Sequence, residues 1–107
     1  MRRLQKTKIV IIGAGSISFG IGSLCDAFRC QDLAGSDLAL VDIDEEALCL
    51  IEKLAHKLNE VSGLGMNIIA TTNRREVLRD AEFVITCFAI KRNELWKLDW
   101  EIPRKYG

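Results

Sequence analysis

A glycine-rich stretch near the start of the chain has the residue types that hold a dinucleotide. The segment GAGSIS, residues 13–18, follows the apolar run KIVII and opens a stretch with helical periodicity. Gly13 allows a tight turn, and Gly15, which has no Cβ, lets a pyrophosphate approach the backbone. The free N–H groups of a helix start would bind its charge, and the Ser16 hydroxyl can add a contact. The third glycine position of the usual dinucleotide-binding fingerprint is occupied by Ser18. The residue at this position need only allow the helix to pack closely against the sheet.

An acidic residue at the end of the second apolar run completes this pattern. Asp42 lies at about the spacing expected for a carboxylate that accepts hydrogen bonds from ribose hydroxyls. Its charge would repel a 2′-phosphate, which favours NAD over NADP. Asp44 competes for this role, but its place before two glutamates predicts a helix N-cap. Two alternatives to an NAD site remain open: a plain turn between strand and helix, or S-adenosylmethionine binding, which uses a similar loop and acid.

The apolar pattern predicts the elements that position these residues. Unbroken apolar runs are typical of strands buried on both faces, and they cover residues 8–12, 38–43, 68–71 and 82–90. Helical stripes predict helices over residues 17–30, 44–62 and 73–80 and from about residue 93. Strands that alternate with helices pair in parallel through right-handed crossovers. We therefore predict one α/β domain over residues 1–107, a doubly wound Rossmann-like sheet in the order 3-2-1-4 with helices on both faces.

Composition and charge exclude several kinds of partner. The 107 residues are 49% apolar and 28% charged, which is ordinary for a globular domain with one core. The 15 basic and 15 acidic residues cancel, so no cationic surplus favours nucleic acid or an anionic membrane. No apolar run is long enough to span a membrane, and the start MRRLQKTKIV lacks the apolar core of a signal peptide.

The cysteines and the single histidine do not form a metal motif. Cys25, Cys30, Cys49 and Cys87 include no CxxC pair. Free thiols predict a reducing cytoplasm. Cys87 lies within the fourth predicted strand and is expected to be a core thiol, whereas His56 is expected to be exposed or half-packed. We assign no metal ligand from this pattern.

Four segments, in this order, resemble the N-terminal part of glycoside hydrolase family 4. They are KIVIIGAGSISFG, LALVDIDEEAL, DAEFVITCFAI and LDWEIPRKYG, which together cover essentially the whole chain. The family comprises NAD- and divalent-metal-dependent α-glucosidases, α-galactosidases, α-galacturonidases and 6-phospho-glycosidases. The resemblance implies a glycosidase without the usual carboxylate pair. In the family, NAD+ takes hydride from C3 of the sugar, a tyrosine removes the C2 proton, a metal such as Mn2+ stabilises the enediolate, and elimination breaks the glycosidic bond.

The resemblance also assigns residues of this chain. It implies a cofactor site formed by Gly13, Gly15, Ser16, Ile17, Ser18, Asp42, Phe88 and Ala89. Lys91, Arg92, Asn93 and Glu94 follow the fourth strand, at the edge where open α/β sheets bind ligands. Arg92 and Asn93 are the substrate-facing candidates, with a charged loop and a helix cap as an equal alternative. The tyrosine base and the metal ligands of the family have no match here, so we expect this chain to be inactive alone.

Two functions of other kinds remain as alternatives. One is a stand-alone module that binds NAD or S-adenosylmethionine without glycosidase activity. The other is a chain that binds nothing and only self-associates. Trp96, Trp100 and Ile102 discriminate the stand-alone module from a segment of a family 4 glycosidase, because a self-sufficient module should cover these side chains. Four strands with an open edge predict a homo-oligomer.

Overall fold

The fold is an alternation of strands and helices. The computed structural model describes residues 6–16, 19–88 and 92–107, and Arg92 and Asn93 are described by their backbone alone. The strands are β1 (Lys8–Ile12), β2 (Asp37–Val41), β3 (Asn67–Thr71) and β4 (Phe83–Thr86). The α-helices are α1 (Phe19–Arg29), α2 (Glu45–Ser62) and α3 (Arg92–Arg104), and 3-10 turns cover Gln31–Leu33 and Arg74–Glu76.

The four strands form one parallel sheet in the order β3-β2-β1-β4. In this register Ile9 lies beside Leu38 of β2 and Phe83 of β4. The predicted α/β class and strand order are confirmed. Because all four strands run in the same direction, their carboxyl ends meet at one edge of the sheet.

The core lies on the two faces of the central strands. Ile9 and Ile11 of β1 and Leu38 and Leu40 of β2 point to the face on which α1 and α2 pack. Val10, Ala39 and Val41 point to the opposite face, where Val77 covers them. Every second residue therefore serves a different half of the core, which explains why these runs are apolar without alternation.

The start and end of α2 follow the predicted capping chemistry. The side chain of Asp44 accepts hydrogen bonds from the backbone N–H groups of Glu46 and Ala47, at 3.1 and 3.2 Å. Gly63 ends the helix in the left-handed region at φ 68°, and its N–H donates to Asn59 O at 3.1 Å. Both predictions are confirmed, since each depends on residues adjacent in sequence.

The helix predicted over residues 73–80 is wrong. Only the 3-10 turn Arg74–Glu76 forms there. Asn73 caps this turn by accepting from Arg75 N at 3.1 Å. Glu76 does not close a capping box directly, because Thr71 Oγ1 donates to its carboxylate at 2.7 Å and itself accepts from Asn73 N at 3.1 Å. The Thr71 hydroxyl thus stands between the two groups that would have started a longer helix.

The sequence places Ile21, Leu24, Cys25 and Phe28 on the apolar stripe of α1, and the structure buries only two of them, Leu24 and Phe28. The buried residues of α1 are Gly20, Leu24, Ala27 and Phe28, whereas Ile21 is exposed. The approach of Gly20 to the chain after β1 turns this side of the helix inward.

Strand β4 is shorter and much more exposed than predicted, and helix α3 after it is exposed as well. We predicted a buried strand over residues 82–90, but β4 spans only Phe83–Thr86, and all four side chains are exposed. Every side chain from Glu94 to Gly107 is also exposed, so Trp100 and Ile102 are not covered. None of the described helices is long and apolar enough to cross a membrane.

Candidate functional site

The turn after β1 is fixed to the end of β2 by backbone hydrogen bonds. The N–H groups of Gly13 and Ala14 both donate to Val41 O, at 2.7 and 3.0 Å. Ser16 N donates to Gly13 O at 3.0 Å, which closes the turn. Gly13 has φ +85°, in the left-handed region that favours glycine. The predicted tight turn is therefore present, at the carboxyl edge of the sheet.

The end of β4 closes the other side of this turn. Cys87 N donates to Ile12 O at 2.7 Å. A Cβ placed on Gly13 would lie 2.8 Å from Cys87 O and 3.1 Å from Phe88 Cβ. Gly13 is thus required both for its backbone conformation and for the close approach of β4. Phe88, an assigned cofactor residue, lies beside the turn with 56% of its surface exposed.

Asp42 links the glycine turn to the start of α2. Its Oδ2 accepts from Gly15 N at 2.8 Å, and its Oδ1 accepts from Asp44 N at 2.9 Å. A carboxylate has about four acceptor positions, so the half-buried Asp42 can still accept from the hydroxyls of a ligand. Asp44 meanwhile caps α2. The two aspartates therefore divide the roles as the sequence predicts, with Asp42 at the turn and Asp44 on the helix.

The space beside Gly15 is occupied by other residues of the chain. A Cβ placed on this residue would lie 2.6 Å from Ala47 Cβ and 2.7 Å from Asp42 Oδ2. The missing side chain is therefore required by the carboxylate and by the first turn of α2. The sequence interpretation gave this space to a pyrophosphate and missed Ala47, whose small side chain three positions after the helix cap was the available signal.

The backbone N–H groups of the turn itself are already used. Gly13, Ala14, Gly15 and Ser16 all donate to acceptors within the protein. Ile17 and Ser18, which we assigned to the phosphates, lie outside the described residues, as does Ala89. Backbone N–H donors for an anion at this edge would therefore come from outside residues 13–16, and the Ser16 hydroxyl could add to them.

The sequence favours close packing of helix against sheet, rather than ligand contact, as the role of Gly20 and Gly22, but the two glycines have different environments. A Cβ on Gly20 would collide with Ala14 O, which confirms the predicted close packing of helix against sheet. Gly22 has no atom within 4 Å of its Cβ position, so the same prediction for Gly22 is wrong. Gly20 is therefore the residue that holds α1 against the turn.

Ile43 is a feature of this edge that the sequence interpretation placed wrongly. It was assigned to the second buried strand, but β2 ends at Val41 and 91% of the Ile43 surface is exposed. The neighbours Asp42 and Asp44 are held by the hydrogen bond between them, so the Ile43 side chain projects from a fixed loop. An apolar surface thus lies next to the candidate ribose carboxylate.

The predicted substrate-facing residues are only partly located. Arg92 and Asn93 begin α3, and their side chains are not described. Lys91 lies outside the described residues, and Glu94 is exposed on α3. The structure therefore locates the backbone of Arg92 and Asn93 at the start of α3, and their substrate-facing role stays a prediction.

Cys87 and His56 have the exposure predicted for them, whereas Cys30 and Cys49 are exposed although the sequence favours mostly buried thiols. Cys87 is buried and lies 3.8 Å from Ser23 Oγ, measured at its Sγ. His56 is exposed on α2, with Nε2 3.8 Å from Glu52 Oε2. Within residues 6–16, 19–88 and 92–107, no group of three or more His, Cys, Asp or Glu side chains could hold a metal ion.

A cavity of about 210 Å³ lies at the opposite edge of the sheet. Lys6, Lys8, Asp37, Asp80 and Glu82 contribute to its walls. These residues stand at the amino ends of the strands, whereas open α/β sheets bind ligands at the carboxyl ends. We therefore place the candidate site at the glycine turn and not in this cavity.

Comparison with known proteins shows which proteins this chain is similar to. An α-glucosidase of Erwinia rhapontici is 47% identical over 102 residues, which are 94% of this chain and 22% of the relative. An α-galactosidase of Rhizobium meliloti is 36% identical, over 94% of this chain and 20% of the relative. A crystal structure of a 6-phospho-α-glucosidase from gut microorganisms, in complex with NAD and Mn2+, superposes with a TM-score of 0.69 at 26% identity. It covers 78% of this chain and 19% of that chain.

The chain thus spans about a fifth of the length of the relatives that it matches. Within that span the likeness is continuous, because residues 8–107 match the sequence model of a family described as family 4 glycosyl hydrolase. The match includes the glycine turn, Asp42 and the C-terminal segment that carried the resemblance. The chain therefore belongs to glycosyl hydrolase family 4.

Proposed function

We propose that this chain binds NAD at the glycine turn, as the cofactor-binding part of a family 4 glycosidase. The observation that carries the proposal is the position of Asp42, whose carboxylate joins Gly15 N to Asp44 N at the carboxyl edge of the sheet. The presence of NAD in the related 6-phospho-α-glucosidase supports it.

The arrangement of side chains suggests how the dinucleotide would lie. The remaining acceptor positions of Asp42 would receive hydrogen bonds from the hydroxyls of the adenosine ribose. Because the base is attached to the same ribose, it would lie against the exposed Ile43. The pyrophosphate would lie before the start of α1, where we assign Ile17 and Ser18 to it, and beside the Ser16 hydroxyl. Phe88 and Ala89 would then line the way to the nicotinamide.

The charge of Asp42 favours NAD over NADP. A 2′-phosphate would stand against a carboxylate that two backbone N–H groups hold in place, so it could not turn away. S-adenosylmethionine is the weaker alternative, because family membership and the NAD-bound neighbour both favour a nicotinamide dinucleotide.

In the reaction that we propose, this chain contributes binding and orientation. NAD, when bound, would supply a hydride acceptor for C3 of a glycoside, which precedes elimination of the leaving group. The described residues form no metal site, so we assign no step to a metal on this chain. We propose that glycoside cleavage depends on residues other than those assigned here, and that the 107-residue chain alone does not cleave glycosides.

Calorimetric titration tests the proposal. Wild-type protein should bind NAD+, with much weaker binding of NADP+ and S-adenosylmethionine. Asp42→Ala should weaken NAD+ binding roughly 10- to 100-fold, because hydrogen bonds to a charged acceptor are lost. Asp37→Ala is the matched control, since Asp37 begins β2 at the opposite edge.

Thermal unfolding of each variant separates binding from folding. Asp42→Ala also removes two contacts to the backbone, so NAD+ affinity is compared only where the variant keeps a cooperative transition. If wild-type protein bound none of the three ligands, the proposal would be wrong. Equal losses for Asp42→Ala and Asp37→Ala would contradict the role of Asp42.

A further inference from the structure

Position 15 requires glycine because of space and not because of backbone conformation. Gly13 has a positive φ, whereas Gly15 is not among the glycines that do, so an L-residue could adopt its conformation. A Cβ at position 15 would instead meet other atoms of the chain. These are Ala47 Cβ at 2.6 Å, Asp42 Oδ2 at 2.7 Å and the Ala47 carbonyl carbon at 3.3 Å. The side chain that glycine lacks would therefore fall into the contact between the turn and α2.

This contact leaves no room for a pyrophosphate on the Cβ side of Gly15. In the usual dinucleotide-binding fingerprint, the second glycine lets the pyrophosphate approach the backbone. Here the N–H of Gly15 already donates to Asp42 Oδ2 at 2.8 Å, and protein atoms line the space that a side chain would fill. Of the residues that Gly15 contacts there, Asp42 is the one that we assign to the cofactor.

The two neighbours of Gly15 differ in how easily they can move. Ala47 Cβ is attached directly to the backbone of α2, and Ala47 N donates to the capping Asp44 at 3.2 Å, which fixes this turn of the helix. The Asp42 carboxylate is the end of a side chain and can change rotamer. A methyl group at position 15 would therefore displace the carboxylate and break its hydrogen bond with Gly15 N.

We propose that Gly15 is a positioning residue for ribose recognition. Together with Ala47, it holds the Asp42 carboxylate in the orientation that receives the hydroxyls of the adenosine ribose. The inference rests on the proposed NAD site at the glycine turn. It assigns the effect of Gly15 on cofactor binding to Asp42 and not to the pyrophosphate, and it adds Ala47 of α2 to the residues that shape the site.

A double-mutant cycle, measured by calorimetric titration with NAD+, tests this route. Gly15→Ala should weaken NAD+ binding roughly 10- to 100-fold, the same range as Asp42→Ala, because both remove the positioned carboxylate. In the Asp42→Ala background, Gly15→Ala should add less than about 3-fold, since the group through which it acts is already gone. Gly22→Ala is the matched control and should leave NAD+ affinity unchanged, because a Cβ on Gly22 has no atom within 4 Å.

The preference between NAD+ and NADP+ separates this role from a general loss of structure. A displaced carboxylate no longer stands against the 2′-phosphate, so Gly15→Ala should narrow the ratio of NAD+ to NADP+ affinity by about 10-fold. A distorted turn or a lost pyrophosphate contact would weaken both dinucleotides equally and leave the ratio as it is in the wild-type protein.

A second background keeps the test decisive if Gly15→Ala loses its cooperative thermal transition. The cycle is then measured with Ala47→Gly, which removes the methyl group nearest the new Cβ and gives it room on the side of α2. Losses of NAD+ affinity that multiply for Gly15→Ala and Asp42→Ala, or an unchanged ratio of NAD+ to NADP+ affinity, would overturn the role of Gly15 alone. Wild-type protein that does not bind NAD+ would overturn the cofactor site itself.

Discussion

Two regions of the molecule differ sharply in burial: the centre of the sheet, formed by β1 and β2, and the side formed by β4 and α3. The strands of both regions are similar apolar runs. Strands β1 and β2 are apolar runs, and Val10, Ile11, Leu38 and Leu40 are completely buried in them. Strand β4 is also an apolar run, yet Phe83, Val84 and Ile85 are between 38% and 57% exposed. Helix α3, which follows β4, has no buried side chain from Glu94 onwards.

The difference shows which part of the chain can hold a site by itself. The glycine turn lies between the two regions, with the Val41 carbonyl and the Asp42 carboxylate on one side and Cys87 on the other. Its rigid contacts come from β2 and α2, which bury most of their apolar surface. The β4–α3 side adds contacts at Gly13 but has little buried area of its own. We therefore expect the geometry of a bound ligand to be set mainly by β2 and the start of α2.

Truncation of equivalent apolar residues should give the largest difference between the two regions. Leu40→Ala in β2 should lower the free energy of unfolding by about 2–5 kcal/mol, because a cavity is left in a packed core. Ile85→Ala in β4 should cost less than about 1 kcal/mol, because the side chain is 38% exposed and its surroundings can relax. Urea denaturation measures both values. Equal losses in the free energy of unfolding would mean that β4 is buried in solution. The two regions would then not differ in burial.

Alanine substitution of the two glycines of α1 compares a position packed against the turn with an open one. Gly20→Ala should destabilise the protein by about 1–3 kcal/mol, because the new Cβ meets the Ala14 carbonyl of the backbone. Gly22→Ala should stabilise it by about 0.5–1 kcal/mol, because the site is open and alanine favours a helix. Chemical denaturation of the two variants side by side gives the sign of each change. A stabilising Gly20→Ala would show that α1 does not approach the turn as described.

Removal of the helix caps should give the smallest difference in stability. The caps are Asp44 at the start of α2 and Asn73 at the start of the 3-10 turn. Asp44→Ala should cost about 1 kcal/mol, because it removes the acceptor for two N–H groups at the start of α2. Asn73→Ala should cost less, because Asn73 caps a turn of only three residues through one N–H group. Thermal denaturation should rank the two variants in that order. A larger loss for Asn73→Ala would contradict the view that β2 and α2 carry the stability.

The sequence predicts best what depends on nearby residues. The strand order, the Asp44 cap and the tight turn at Gly13 each follow from short patterns, and the structure confirms them. The exposure of Ile43 and of β4 was not predictable, because an apolar run has the same appearance whether or not another element covers it. The use of the space beside Gly15 depends on Ala47, which is distant in sequence. In place of the helix predicted over residues 73–80 the chain forms the turn Arg74–Glu76, and the Thr71 hydroxyl bonds both groups of the expected capping box.

A titration of ¹⁵N-labelled protein with NAD+, followed by the backbone amide resonances, tests the central claim most directly. We expect saturable chemical-shift changes at the amides of Gly13, Gly15, Ser16 and Asp44, because these amides belong to the turn or bond to Asp42. The amides of α3 from Lys97 to Gly107 should not move at constant protein concentration. Shifts confined to α3, or to the cavity at the amino ends of the strands, would contradict a cofactor site at the glycine turn.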